Sequence, residues 1–377
     1  MSAFARAISF LGSFASFALL AAACHRGSTP EPNRGPDSPG PARDDEPKTA
    51  SLPSSTARAP GSSAVGDPSS PPPDLTAAGL VRRDGARRIP IPWTGSLQNP
   101  CWSPDGRELV ITRFLEGYNK GLSLVARVAV ADGTPIAWEK ATAQDVNLPG
   151  SCWNKALGRI AFSSDVAEHD EIYLADPRTS QRTQVTRRKH AEAREPSISP
   201  DGRFIVFESH AVGSEANGSL WRVGTDGRGL VRLTDGRGND RQPNWSPAGD
   251  RILFQSNRRG NFDIYTIDPN GRSLENVTQS PAEDTDAAWS PDGTHIVYSS
   301  DEGSLEHANL FVIARRADQT GQTSGGKRTR VTHSRGYDGA PSWSPDGRFI
   351  AFESSEGDPE AAGAGTAIYV IAAPKLP

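Results

Sequence analysis

The chain reads as all-β: a six-bladed β-propeller of four-stranded antiparallel blades, with an N-terminal strand closing the last blade. Three observations predict this. A Trp-centred segment recurs at Trp102, Trp153, Ile198 (where Trp is replaced), Trp245, Trp289 and Trp343, at intervals of 51, 45, 47, 44 and 54 residues. That is the period of propeller blades. Between the copies no helical periodicity of useful length intervenes. The last repeat stops after AIYVIAAPKLP, one strand short, while a surplus strand, RRIPIP (Arg87 to Pro92), precedes the first.

Each element of the repeat has a physical reason. Pro100, Pro196, Pro243 and Pro341 stand two residues before their Trp-type position. A turn follows, complete as SPDG at Ser103–Gly106, Ser199–Gly202, Ser290–Gly293 and Ser344–Gly347, softened to SPAG at Ser246–Gly249 and eroded to NKALG at Asn154–Gly158. Proline pre-sets φ at the second turn position, Asp tolerates the third, and Gly accepts the positive φ of the exit. Apolar strands come next, among them RIAFSS, RILFQS and RFIAFES, then third strands such as EIYLAD and DIYTID, then short closing strands ending in Thr, such as TQVT and TRVT. Four short strands cannot bury both faces alone; radial stacking does, and leaves only short edges. The Trp then belongs between blades. Pro90 and Pro92 fit an exposed edge, so the surplus strand fills the outer place of blade six.

The remainder of the chain is of another kind. Arg6 precedes an apolar run, Ala7 to Ala23, that ends at Cys24. It is short for a membrane span and suits a signal-peptide core. Leu20-Ala21-Ala22-Ala23-Cys24 resembles a lipobox, with Leu four rather than three residues before the Cys; Ala21-x-Ala23 equally suits an ordinary signal peptidase cutting at the same bond. The expected organisation is a signal peptide over 1–23, a lipidated Cys24 with a Pro/Ser/Gly-rich tether over 24–78, and the propeller over 79–377. The tether lacks aromatic residues and buries too little to offset its ordering entropy.

Net charge is −4 over 377 residues, so no chain-wide basic field points to nucleic acid. Gly321–Arg328 nearly spells a phosphate loop, but Arg328 replaces the Ser/Thr, and a strand follows where a helix N-terminus is needed. The seven histidines are scattered, and no nucleophile elbow follows a strand. No cofactor, metal or catalysis is expected. Cys101 and Cys152 precede the Trp of blades one and two; equivalent positions in rotated blades face the same way, so two buried thiols are expected rather than a bond.

The loops entering the innermost strands share one end of a propeller and are rich in acids. Asp240, Asp284, Asp286 and Asp338 stand three to six residues before their Trp, with Arg194, Arg241 and Tyr337 beside them. These seven residues are the expected partner-binding face.

WSPDGRFIAFES, SNRRGNFDIYTIDPNG and RLTDGRGNDRQPNWSPAGDRILFQS resemble the propeller of TolB, the periplasmic component of the Tol–Pal envelope system. The likeness covers about Arg87 to Pro377. It implies a non-catalytic, monomeric envelope protein that docks an envelope protein such as a Pal-like lipoprotein. The lipobox-like segment at Cys24 adds the expectation of an outer-membrane anchor on the periplasmic side, with the membrane met only through the lipid. TolB carries an α/β domain ahead of its propeller; here a tether occupies that place. The alternative is a propeller enzyme or carbohydrate-binding protein acting on cell-wall or extracellular glycan.

Overall fold

The computed structural model describes residues 80–136, 143–147, 150, 152–214, 216–302, 307–315, 327–355 and 365–375. The signal peptide, Cys24, the tether and residues 321–326 of the near phosphate loop lie outside the described residues.

Among the described residues, twenty-five strands form six antiparallel sheets and no helix occurs. Blade 4 shows the pattern. Its innermost strand Asp240–Trp245 pairs Ile252–Ser256, which pairs Asp263–Ile267, which pairs the outermost Glu275–Asn276. Blade 6 is built from both ends of the chain: Asp338–Trp343, Phe349–Ser354 and Ala367–Ala372 are completed by Arg87–Arg88, with Arg87 opposite Val370 and Arg88 opposite Tyr369. The expected closure is therefore present.

Six apolar cores hold the molecule, one at each blade boundary. Trp102, Trp289, Trp245 and Trp343 each lie in one of them, as does Ile198. The core between blades 6 and 1 joins Trp102, Leu109 and Ile111 to Ala351, Ile368 and Val370, with Ile89 and Ile91 of the closing segment. Arg82 adds a buried clamp. Its guanidinium lies 5.5 and 5.3 Å from the ring centres of Phe352 and Tyr369 and 2.8 Å from the Asp338 carboxylate.

The turns follow the sequence expectation. In each SPDG copy the Gly N–H donates to the Ser carbonyl, and the Ser hydroxyl donates to the Asp at 2.6 Å. Where blade 4 has SPAG, Asp250 replaces the missing acid, 2.7 Å from Ser246 Oγ. In blade 2 the Asn154 side chain caps the eroded turn by accepting the Leu157 N–H.

Two findings depart from expectation. Cys101 and Cys152 are disulfide-bonded, with Cα atoms 6.1 Å apart. The rotational argument fails because blade 2 is not a true copy. Its innermost strand is split into Asp145–Val146 and Trp153–Asn154, which frees Cys152 to turn toward its neighbour. Between the halves, Gly150 reaches the propeller axis: a Cβ there would lie 3.1 Å from Ala288 Cβ and 3.3 Å from Asn244 Nδ2, in blades 5 and 4.

Candidate functional site

Five innermost strands break register at the same step, between Gln98 and Cys101, Arg194 and Ser197, Arg241 and Asn244, Thr285 and Ala288, and Gly339 and Ser342. Each bulge holds a non-glycine residue in the left-handed region: Asn99, Glu195, Gln242, Asp286 and Ala340, at φ from 47 to 54°. In four of them a proline follows, removing an N–H that the interrupted ladder could not satisfy. Such outliers persist only when their surroundings hold them.

The holding groups form a rule. At one register step of the second strand every blade places a polar residue: Thr112, Ser163, Glu208, Gln255, Ser299 or Glu353. Three of them accept the bulge N–H of the next blade: Glu208 from Gln242 (3.1 Å), Gln255 from Asp286 (3.0 Å) and Glu353 from Asn99 (3.0 Å); Thr112 accepts the N–H of Asn147 (3.1 Å), at the equivalent position of blade 2. The interlock stitches neighbouring blades together near the axis and gathers acids there.

Two clusters result. In the first, the Gln242 N–H donates to both Glu195 and Glu208, whose carboxyls also hydrogen-bond each other; His210 Nε2 lies 3.1 Å from Glu208. Two carboxyls so joined share one proton. Burial and the Glu208 charge raise the Glu195 pKa well above the carboxylate range, while His210 holds Glu208 below it against the pull of burial. In the second, Tyr118 Oη donates to Glu353 (3.2 Å) and Tyr337 Oη to Asp286 (3.0 Å), with the two rings edge to face at 6.3 Å. Burial, followed by the Asp286 charge, pushes Glu353 up to about 8. Burial and the same acids raise both tyrosines. Gly339 makes this possible, since a Cβ there would lie 1.9 Å from the Tyr337 hydroxyl.

Of the residues singled out in the sequence, Asp286, Tyr337 and Arg241 meet here and are partly exposed. Asp240, Asp284 and Asp338 do not. Each opens its innermost strand opposite the Ser that ends the second, at Ser256, Ser300 and Ser354. All three are fully buried within their blades, so they cannot touch a partner directly. Asp240 instead pairs Arg258, which lies over Phe254 and Tyr265. Arg194 is held by Asp170 and Glu192, both at 2.6 Å. Sequence reasoning missed Glu195, Glu208, Glu353 and Tyr118. The first three carried a signal, an acid before proline and a polar residue inside an apolar strand (VFES, AFES). Tyr118 sits in a hairpin outside the repeat and carried none.

A closed ring of four-stranded blades with an acid- and tyrosine-lined end defines the class: a β-propeller with a polar axial mouth and no convergent nucleophile–base pair described. The family model for the TolB beta propeller domain matches residues 232–314. An uncharacterized protein of Agrobacterium fabrum is 32% identical over 165 residues, 43% of this chain and 51% of that one. The Tol-Pal system protein TolB of Francisella tularensis is 26% identical over 179 residues, 45% of this chain and 37% of that one. The chain thus spans about half or less of the curated relatives it matches. The crystal structure of TolB from Acinetobacter baumannii superposes with a TM-score of 0.54 at 20% identity, covering 75% of this chain and 62% of that one, a likeness of fold alone. The chain carries a TolB-like six-bladed β-propeller.

Proposed function

We propose that this propeller is a non-catalytic interaction module that docks a protein of the bacterial envelope at its axial mouth. The observation that carries the reading is the partly exposed group Glu195, Arg241, Gln242, Asp286, Tyr118 and Tyr337, built on strained bulges from several blades. Charged and aromatic side chains on a rigid frame are what binding faces use. The TolB-like propeller and the Tol-Pal relatives support an envelope partner, and a Pal-like lipoprotein is the candidate. The Ala7–Cys24 segment supports export and a lipid anchor on the periplasmic side of the outer membrane, and intact mass of the mature protein decides between a modified and a free Cys24. The acids favour a basic partner segment and salt-sensitive association.

A photoreactive residue at exposed Lys120, in the hairpin that carries Tyr118, tests the docking face. The reading expects cross-links to one envelope protein from Lys120 and none from Val231 on the outer edge of blade 3. Cross-links from Val231 alone would move the interface off the mouth.

A further inference from the structure

In blades 2, 4 and 6 the acid that opens the innermost strand meets an arginine: Arg182 lies 2.7 Å from Asp145, Arg258 2.8 Å from Asp240 and Arg82 2.8 Å from Asp338. Blade 5 breaks this pattern. Asp284 is fully buried; the Ser300 and Thr278 hydroxyls lie beside it, but among the described residues no ion pair to an arginine is formed there. An arginine is nevertheless in place. Arg182 pairs the residue two beyond Tyr173, and Arg328 pairs Ile313, two beyond Phe311. The Arg328 guanidinium lies 5.2 Å from the Phe311 ring centre, as Arg182 lies 5.1 Å from Phe162. It turns instead toward Glu302, at 3.6 Å.

Blade 5 also carries a reversed ring pair. Blades 2, 4 and 6 place Phe on the second strand and Tyr on the third (Phe162–Tyr173, Phe254–Tyr265, Phe352–Tyr369); blade 5 has Tyr298 on the second and Phe311 on the third. The Tyr298 hydroxyl thereby comes close to both Asp284 and Arg328 and hydrogen-bonds the arginine.

We propose that Arg328 is a two-position latch, resting toward Glu302 on the rim while Asp284 is neutral and crossing to Asp284 when that carboxyl ionises. The groups facing Asp284 are Asp263 of blade 4, Tyr298 of its own second strand and Arg328 of its outermost strand, with Glu302 beyond. The Asp263 carboxylate is already occupied by Thr278, Ser280 and Asn276, so Arg328 is the cation within reach. An unpaired buried carboxylate is costly. Leaving Glu302 costs little, because Arg328 is 45% exposed there and Arg330 keeps Glu302 at 3.0 Å. Burial, with the Asp263 charge acting in the same direction and Ser300 and Thr278 only partly opposing, pushes Asp284 up to about 6. The crossing then falls in mildly acidic solution and removes one positive charge from the blade 5 rim as pH rises. The latch does not depend on the docking reading.

The test is the Arg328 Nε–Hε resonance of the full-length protein, assigned through its loss in Arg328→Lys and followed from about pH 5 to 8, above the range in which an ordinary Asp titrates. A shift with its midpoint near 6, absent in Asp284→Asn, is the expected result. In Tyr298→Phe, which restores the ring order of the other blades, the midpoint should move lower. A resonance that does not respond to pH, or one that titrates unchanged in Asp284→Asn or in Tyr298→Phe, would overturn the proposal.

Discussion

Blade 4 and blade 2 solve the same packing problem with different means. In blade 4 the innermost strand is continuous apart from its bulge, Trp245 is buried against Val206, Leu220 and Ile252, and the Asp240–Arg258 pair caps Phe254 and Tyr265. In blade 2 the strand is split, the turn is eroded, and Trp153 is only partly buried, with Arg127 lying 5.2 Å from its ring centre. A covalent bond to blade 1 stands where repeat packing is weak. Gly150, between the two halves, lies against blades 4 and 5 at the axis. A propeller thus tolerates a degenerate blade when a cross-link ties it to its neighbour.

The comparison can be broken most forcefully at the tryptophans. Trp245→Ala should cost about 3–5 kcal/mol, the usual penalty for emptying a buried aromatic site. Trp153→Ala should cost clearly less, because part of that ring already meets solvent. Denaturant melts of the two variants decide the point, and equal losses would mean that blade 2 packs as tightly as blade 4. Next in size, replacing both Cys101 and Cys152 with Ser should lower stability by about 2–4 kcal/mol. Limited proteolysis should then cut first within blade 2, and cleavage beginning in blade 4 would contradict the staple.

Smaller still, Gly150→Ala should destabilise by about 1–3 kcal/mol, as expected of a side chain forced to a positive φ; here φ is +82° and the new Cβ would press on Ala288. An unchanged melting temperature would place this residue away from the axis. The smallest effect depends on pH. Glu353 has its folded-state pKa raised to about 8, so its stabilising contribution is complete below the unfolded carboxylate value and is lost as pH rises through 8. Glu353→Gln, which imitates Gln255 of blade 4, should therefore melt higher than the parent at pH values near 9. The two should converge in acid. A constant difference across pH would show that Glu353 stays ionised throughout.

Most of the fold was legible because the repeat supplies six noisy copies of each element. The turn, the Trp and the closing strand at Arg87 could each be checked against its sisters. The site was less legible. Asp240 and Asp338 have the spacing of mouth residues, but the register turns them into their blades, where Arg258 and Arg82 neutralise them. Arg82 lies 256 residues from Asp338, a pairing that no local pattern encodes. The disulfide was missed because symmetry was applied to the one blade that departs from it. Glu208 and Glu353 were visible as polar residues in apolar strands, yet their purpose depends on a bulge N–H of the next blade.

The central claim is that the axial mouth of this propeller docks a partner, and affinity capture tests it most directly. Asp286→Ala combined with Tyr337→Ala removes both members of the partly exposed hydrogen-bonded pair and leaves the six interblade cores intact. Full-length protein and double variant, matched for thermal melting, are used to capture proteins from native envelope extract at low and high salt. The account predicts one partner recovered by the parent at low salt, less of it at high salt, and none with the folded double variant. Equal recovery of that partner by both proteins would contradict it.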